Sequence, residues 1–208
     1  MECPNIMNTQ NKKERLIDSA ATLFHRNGLM ATSLADIAKH AEIPIGNVYY
    51  YFKTKDDLAL AATLKRREYF IAAYSLLSEN IDDPRERLIE SVNYYNKIRD
   101  DYARYGCPIG KIINDTDTGK DPIAQATALI FADFVAWAAA QFEQLGHKQD
   151  AQKYAISLMA GIQGATIMAK TFQNPQILVD ETARLIEWLE SIPNHKIQLG
   201  KAGARSGS

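Results

Sequence analysis

The stretch "GNVYYYFKTK", residues 46–55, decides how the chain folds, because it places three tyrosines and a phenylalanine directly before two lysines. In a strand, alternation would send Tyr49 and Tyr50 to opposite faces. In a helix, Val48 and Phe52 share one face at i and i+4, and both Tyr49 and Tyr50 turn away from it. The choice between strand and helix depends on the residues on either side.

The residues before this stretch have helical periodicity. Apolar residues from Leu16 to Phe24 form one face of a first helix, and Gly28 stands where a glycine commonly ends a helix. Ser33, with Asp36 three residues later, predicts a capping box at the start of a second helix. "EIP" interrupts the pattern, and Pro44 suits the first position of a third helix because its missing N–H is not needed there.

Helices over 33–41 and 45–52, joined by a tight turn and supported by a helix over 12–27, predict a helix-turn-helix unit. In this unit the valine and phenylalanine hold the recognition helix against the second helix. The outward hydroxyls of Tyr49 and Tyr50 can then donate to phosphate oxygens. Taken singly, tyrosines on a short helix usually pack, and lysines beside a cap are usually solvated. Their occurrence together in one short window favours DNA binding.

Two further features support this interpretation. "PIGN", residues 44–47, would lie deepest in the major groove, where Gly46 allows the backbone to approach and the amide of Asn47 matches the donor–acceptor pair of adenine. Thr54 and Asp57 predict a second capping box, and the N–H groups of the helix that follows favour an anion.

The amino-acid sequence of this region is also characteristic of a known family. "LIDSAATLFHRNGLMATS" followed by "LADIAKHAEIPIGNVYYYFKTKDDL" resembles the DNA-binding domain of the TetR family of transcriptional regulators over residues 12 to about 60. The similarity includes Phe24 and Gly28, the Ile37-Ala38 pair, the tyrosine run and the final "FKTK". The resemblance implies a homodimer that binds a palindromic double-stranded DNA operator. The DNA-binding residues that we predict are Thr32, Ser33, Pro44, Ile45, Gly46, Asn47, Tyr49, Tyr50, Lys53, Thr54 and Lys55.

The chain departs from the family pattern at two positions. Glu42 stands in the turn where glycine is usual, and a left-handed backbone there would cost a non-glycine residue about 1 kcal/mol. Pro44 stands where the recognition helix usually opens with serine or threonine. Both departures affect the contacts at the start of the recognition helix more than the fold.

The rest of the chain also has helical periodicity, and we find no strand pattern and no repeat. Helices are expected from Thr54 to about Asn80, from Asp83 to about Tyr105, from Pro108, from Asp121 to Gly146, over 149–172 and from Asn174 to about Ile192. The fold class is therefore all-α, with about nine helices. The predicted domains are 10–56 for the helix-turn-helix, 57–193 for effector binding and dimerisation, and 194–208 for a disordered tail.

The last two long helices have features that favour pairing with a second copy. The resemblance implies that they pair across a two-fold axis, and a single helix-turn-helix reads only one half-site. Small residues allow close helix approach, and an apolar stripe needs a partner, although a core within one chain would have the same pattern. The predicted interface residues are Gly161, Gly164, Ala165, Met168, Leu178, Leu185 and Leu189.

An effector pocket is predicted among the aromatic residues of the second domain, although an aromatic-rich core would have the same composition. Asp133 interrupts an apolar helix, so a buried carboxylate there would bind either a ligand or a tyrosine hydroxyl. The predicted pocket residues are Tyr69, Tyr94, Tyr102, Cys107, Phe131, Asp133, Phe134 and Trp137.

Cys107 lies between Gly106 and Pro108, so we expect it at the N-cap of a helix with Lys111 one turn later. A helix N-terminus and a lysine both favour a thiolate, which could react with an electrophile. The alternative is an inert small hydrophobic residue, which is the commoner role of a solitary cysteine.

Composition excludes several classes of protein. The net charge is −1, but residues 1–67 carry ten Lys and Arg against seven Asp and Glu, a net of +3 that permits DNA binding. Two cysteines, Cys3 and Cys107, form no disulfide framework, and no segment is expected to be a signal peptide or a membrane span. We therefore expect a cytoplasmic protein that does not contact a membrane.

The histidines lack ligand spacing and no catalytic motif is present, so we expect no metal, no cofactor and no enzymatic activity. The predicted function is a homodimeric transcriptional regulator, a repressor that a small molecule or an electrophile releases from DNA. The alternatives are an architectural or ligand-independent DNA-binding protein and a cysteine-dependent enzyme.

Overall fold

A computed structural model describes residues 6–116 and 120–194, with side chains from Lys12 onward. Cys3, residues 117–119 and the predicted tail beyond Asn194 lie outside the described residues. The described residues contain ten α-helices and no strand, which confirms the predicted all-α class. The helices are α1 (Ile6–Asn27), α2 (Leu34–His40), α3 (Ile45–Tyr51), α4 (Lys55–Asn80), α5 (Pro84–Lys97), α6 (Arg99–Tyr105), α7 (Pro108–Asp115), α8 (Pro122–Gln144), α9 (Ala151–Phe172) and α10 (Gln176–Ser191).

The extra helix arises because the segment predicted as one helix up to Tyr105 is two helices, α5 and α6. Ile98 separates them with φ −114° and ψ 11°, in the sparsely populated bridge region between helical and extended backbone. Neither glycine nor proline is present at this break, so the sequence carried no local signal for it.

The predicted helix starts are confirmed where a local side chain makes the cap. Ser33 and Asp36 form a reciprocal capping box at α2, in which the Ser33 N–H donates to the Asp36 carboxylate at 2.9 Å. The Ser33 hydroxyl, which donates to the same carboxylate oxygen at 2.6 Å, and then the Ser33 N–H lower the pKa of Asp36. Because the pKa is lowered, the cap keeps its stabilising effect at neutral pH and loses it only in acid, as Asp36 is protonated. Thr54 and Asp57 form a second such box at α4.

The chain divides into two compact units. The first unit contains the residues up to Tyr69 together with Cys107–Ile130, and the second contains Phe70–Gly106 together with the residues after Ile130. In the first unit Leu16, Phe24 and Ile37 are buried in one core, which also contains Val48 and Phe52. The predicted helical orientation of the opening stretch is therefore confirmed, because Val48 and Phe52 are buried while Tyr49 and Tyr50 are 50% and 75% exposed.

The turn of the helix-turn-helix has a left-handed backbone at Glu42, where φ is 54°. The Ile43 N–H closes the turn by donating to the Ala38 carbonyl oxygen at 2.9 Å. Arg15 of α1 donates to the Ala41 carbonyl oxygen, and its guanidinium lies 3.6 Å from the Glu42 carboxylate. The non-glycine residue at this turn is therefore held by a contact from α1. Pro44 is the N-cap of α3 and not its first residue.

In the second unit α10 packs against α5 and α9, and α9 packs against α6. Its core includes Leu88, Leu158 and Leu185, all at most 1% exposed. Among the described residues, α8 is apolar and long enough to cross a membrane by length and composition alone. Within the second unit, Phe134 and Phe142 of this helix are at most 1% exposed, as in the core helix of a soluble protein.

Gly28→Ala should lower the free energy of unfolding by about 1–3 kcal/mol, measured by urea denaturation. Gly28 has φ +94°, and an added Cβ would lie 3.1 Å from Asp115 Oδ2 and 3.4 Å from Lys111 Cε. Gly46→Ala is the matched control, because its Cβ would meet no atom within 4 Å and alanine favours a helix. Equal unfolding midpoints for the two variants would contradict the requirement for glycine at position 28.

Candidate functional site

The outward side of α3 presents an exposed, largely uncharged surface. Pro44, Ile45 and Gly46 are exposed at its start, and Asn47 is half-buried. A Cβ at Gly46 would meet no atom within 4 Å, so a ligand backbone can approach this position closely. Together with the two exposed tyrosines of α3, these residues form the surface that we call the α3 face.

The two lysines that follow α3 differ in their contacts. Lys53 is exposed, and its Nζ donates to the Tyr49 carbonyl oxygen at 3.1 Å, so it stays beside the α3 face. Lys55 is half-buried, and its Nζ donates to the Leu29 carbonyl oxygen at 2.8 Å. The Nζ of Lys55, a predicted DNA-binding residue, is thus bound within the protein to a carbonyl oxygen near the end of α1.

Thr32, another predicted DNA-binding residue, is also bound within the protein. Its side chain is 2% exposed, and its hydroxyl donates to the Gly28 carbonyl oxygen at 2.7 Å. Ser33, the next residue, is exposed and caps α2. Of the two residues, only the serine presents a side chain at the surface.

Helix α7 contacts the carboxyl end of α1 and the residues that follow it. Lys111 Nζ donates to the carbonyl oxygens of His25 and Arg26 at 3.2 Å and 3.0 Å, and Asp115 Oδ2 accepts from the Leu29 N–H at 2.8 Å. These contacts join residues more than 80 positions apart, and sequence reasoning missed them because no local pattern indicates them. The carboxyl end of α1 is thus held by side chains from α4 and α7.

Cys107 is the N-cap of α7, as predicted, and its Sγ accepts from the Gly110 N–H at 3.4 Å. The side chain is 8% exposed, so a reagent in solution has little access to it. Lys111, which was expected to stabilise a thiolate, donates instead to the end of α1. These contacts favour the structural role of this cysteine over the reactive one.

The second unit contains a cluster of aromatic rings around Tyr74. The Tyr74 ring stacks on Trp137 with centroids 5.0 Å apart and on Phe70 with centroids 6.2 Å apart, and it meets Phe134 edge-on at 5.7 Å. Burial, followed by the nearby Tyr94 and Asp133, raises the pKa of Tyr74, so its phenol stays protonated at physiological pH. Trp137 Nε1 donates to Ser78 Oγ at 3.1 Å.

This cluster brings together four of the predicted pocket residues, namely Tyr94, Asp133, Phe134 and Trp137. The half-buried Phe131 lies one turn before Phe134 on α8, and Tyr102 is connected to Tyr94 through edge-on contacts with Tyr95. Sequence reasoning missed Tyr74, although its i, i+4 spacing from Phe70 on α4 was the available signal. Tyr69 and Cys107 belong to the first unit, and Tyr69 is 60% exposed.

The predicted dimer residues fall into two groups, the leucines of α10 and the residues of α9. Leu178, Leu185 and Leu189 are at most 1% exposed, because the apolar stripe of α10 packs into its own unit. These three leucines were predicted to lie in the dimer interface, but they belong to the core of their own protomer. The other predicted residues line a shallow groove between α9 and α10, of about 530 Å³, that we call the α9–α10 groove. It is lined by Ala160, Gly161, Gly164, Ala165, Met168, Ile177, Asp180, Glu181 and Arg184.

Two family models match the sequence, one in its N-terminal part and one in its C-terminal part. Residues 16–62 match the family model for bacterial regulatory proteins of the tetR family. Residues 89–183 match the model for the C-terminal domain of LmrA/YxaF-like transcriptional regulators.

Individual relatives agree with these two matches. The chain is 24% identical to the HTH-type transcriptional regulator LmrA of Bacillus subtilis, over 81% of this chain and 91% of that protein. It is 44% identical over 50 residues to the HTH-type transcriptional regulator QacR of Staphylococcus aureus, which is 24% of this chain and 27% of that protein. The fold is similar to the crystal structure of a TetR-family regulator from Agrobacterium tumefaciens, with a TM-score of 0.77, 24% identity, and coverage of 86% of this chain and 98% of that chain.

Lys55→Met should lower the free energy of unfolding by about 1 kcal/mol, because it removes the donor that Leu29 uses. Lys53→Met removes the same charge two residues away, from an exposed side chain, and should change stability by less than about 0.5 kcal/mol. Urea denaturation of both variants measures the difference. An equal effect of the two substitutions would show that the Lys55 hydrogen bond does not stabilise the fold.

Proposed function

The chain belongs to the TetR family of transcriptional regulators, and we propose that it is a homodimeric repressor that a small molecule releases from a two-fold symmetric operator. DNA binding and transcriptional regulation follow from the family, and the chain is not an enzyme. The observation that carries the proposal is the α3 face, where Tyr49 and Tyr50 are exposed beside Lys53 while the opposite side of α3 is buried. The family also implies a cytoplasmic protein.

In the proposed complex α3 lies in the major groove. The hydroxyls of Tyr49 and Tyr50 donate to phosphate oxygens, and Lys53 leaves the Tyr49 carbonyl to bind a phosphate as well. Asn47 lies one turn earlier, at the start of the helix, where its amide can accept from and donate to an adenine edge. Lys55 acts indirectly by holding the start of α4 against the end of α1. Phosphate binding then sets affinity, and the first turn of α3 sets sequence preference.

Two copies are needed to read a symmetric site. The two recognition helices of such a dimer must be about 34–36 Å apart to enter successive major grooves. We propose that the copies pair through the α9–α10 groove, since its small residues permit close helix approach. The apolar stripe of α10 is not available for pairing, because it packs against α5 and α9 within the protomer.

The effector proposal concerns the aromatic cluster of the second unit. A ligand shifts the DNA-bound and released states only to the extent that it binds one of them better. Rings that stack around Tyr74 and a carboxylate at Asp133 offer an apolar surface with a polar group, which suits a small organic molecule. Because Cys107 is buried and Lys111 is bound to α1, we favour a non-covalent effector over an electrophile.

DNA binding is tested by gel shift with the DNA upstream of the protein's own gene, with random DNA, and with candidate effectors added. Lys53→Ala should weaken binding to both DNAs about equally and reduce the salt slope by about one unit. Asn47→Ala should instead relax the preference at one position in each half-site. Lys65→Ala is the control, because Lys65 is paired with Asp18 at 2.6 Å in the same unit. Unchanged affinity in the Lys53 and Asn47 variants would remove α3 from the interface.

Gly164→Leu should convert the dimer to a monomer and abolish operator binding. The position is exposed and an added Cβ would meet no atom within 4 Å, so leucine fills the α9–α10 groove without disturbing the protomer. Ala140→Leu, at an exposed position of α8, is the control for added apolar surface. Light scattering and circular dichroism give the assembly state and the fold. A Gly164→Leu variant that is folded and still dimeric would place the interface elsewhere.

A further inference from the structure

The turn between α2 and α3 contains a strained residue close to the start of the recognition helix. Glu42 has φ 54°, a left-handed conformation that is unfavourable for a residue with a Cβ atom. Pro44, two residues later, is the N-cap of α3 and makes no side-chain hydrogen bond to it. The start of α3 is therefore positioned by the backbone of this turn and not by a side-chain cap of its own.

Arg15 of α1 binds this turn from a distant part of the chain. Its Nη2 donates to the carbonyl oxygen of Ala41, the C-cap residue of α2, and lies 3.6 Å from Glu42 Oε2. The Glu42 side chain is 86% exposed, so water screens the ion pair, and the bond to the carbonyl oxygen is the stronger of the two contacts. The neighbouring Leu16 is fully buried in the core, which fixes α1 as the support for this bond.

The turn is joined directly to the residue proposed to read bases. The Ile43 N–H donates to the Ala38 carbonyl oxygen at 2.9 Å, and the Asn47 N–H donates to the Pro44 carbonyl oxygen at 2.8 Å. Base reading requires the Asn47 amide to meet the edge of one base, so it is sensitive to the position of the helix start. Phosphate contacts, such as the one proposed for the exposed Lys53, carry no sequence information. A displaced turn thus weakens binding to a preferred sequence more than binding to random DNA.

We propose that Arg15 is a positioning residue for sequence reading: by holding the Ala41 carbonyl group, it maintains the left-handed turn that places Asn47. Arg15 acts through the turn and not by binding DNA itself. Glycine adopts a left-handed backbone readily, so a glycine at position 42 makes the bond from Arg15 dispensable. This inference rests on the α3 face of the proposed function.

Gel shifts with the full chain test the inference on two duplexes, one that the natural chain selects from a random library and one of random sequence. Arg15→Met should weaken binding to the selected duplex by about five- to tenfold and to the random duplex by less than about twofold, with an unchanged salt slope. Adding Glu42→Gly to Arg15→Met should restore both affinities to within about twofold of the natural chain. Glu42→Gln, which keeps the bond to Ala41, should also stay within about twofold. Circular dichroism and urea denaturation verify that each variant is folded.

Lys13→Met is the matched control for charge, because it removes a cation from the same helix. Lys13 Nζ lies 5.9 Å from the centre of the Phe52 ring and not at the turn, so this variant should keep the ratio of the two affinities within about twofold.

Three results would overturn the inference. An equal loss on both duplexes with a salt slope reduced by about one unit would make Arg15 a phosphate contact. The other two are an Arg15→Met variant that binds the selected duplex as tightly as the natural chain, and a loss that Glu42→Gly does not restore. A natural chain that selects no sequence, or an Asn47→Ala variant that keeps the full preference, contradicts the α3 face itself and the inference with it.

Discussion

The carbonyl groups at the carboxyl end of α1 need hydrogen-bond donors, and the arrangement of the first unit depends on how they are supplied. The last carbonyls of any helix have no partner within that helix. Here Lys111 reaches two of them, and Lys55 and Thr32 bond to the two residues that follow the helix. Each donor comes from a different part of the chain. The loop that leads into α2 is therefore fixed by long-range contacts, and Gly28 provides both the left-handed backbone and the space that they require.

The same requirement is met in the second unit by other basic side chains. Arg85 donates to the carbonyls of Leu189 and Ile192 at the end of α10, and Arg87 donates to Ser78 and Ile81 at the end of α4. Lys170 of α9 donates to Arg104 at the end of α6. Many of the basic residues are therefore committed to the fold. These hydrogen bonds leave the cations charged but fix where their side chains point, so the position of a lysine such as Lys53 matters more for contact with DNA than the net charge of the chain.

The fold was predictable from sequence to the extent that its determinants are local. The Ser33–Asp36 and Thr54–Asp57 caps have a fixed spacing, and the burial of Val48 beneath exposed Tyr49 follows from helical periodicity alone. Contacts between distant positions were not predictable. Neither the Lys111 hydrogen bonds nor the bond from Lys55 to Leu29 has a local signature, so the sequence predicts Lys55 only as a DNA-binding residue. The break at Ile98 likewise has no sequence signal.

The error at Leu178, Leu185 and Leu189 has a different cause. An apolar stripe indicates that one face of a helix is covered, but it does not indicate by what. Because α5 and α9 cover that stripe within the protomer, the part of α10 left in the groove carries Ile177, Asp180, Glu181 and Arg184. A partner that binds there gains less from apolar burial than three leucines would give.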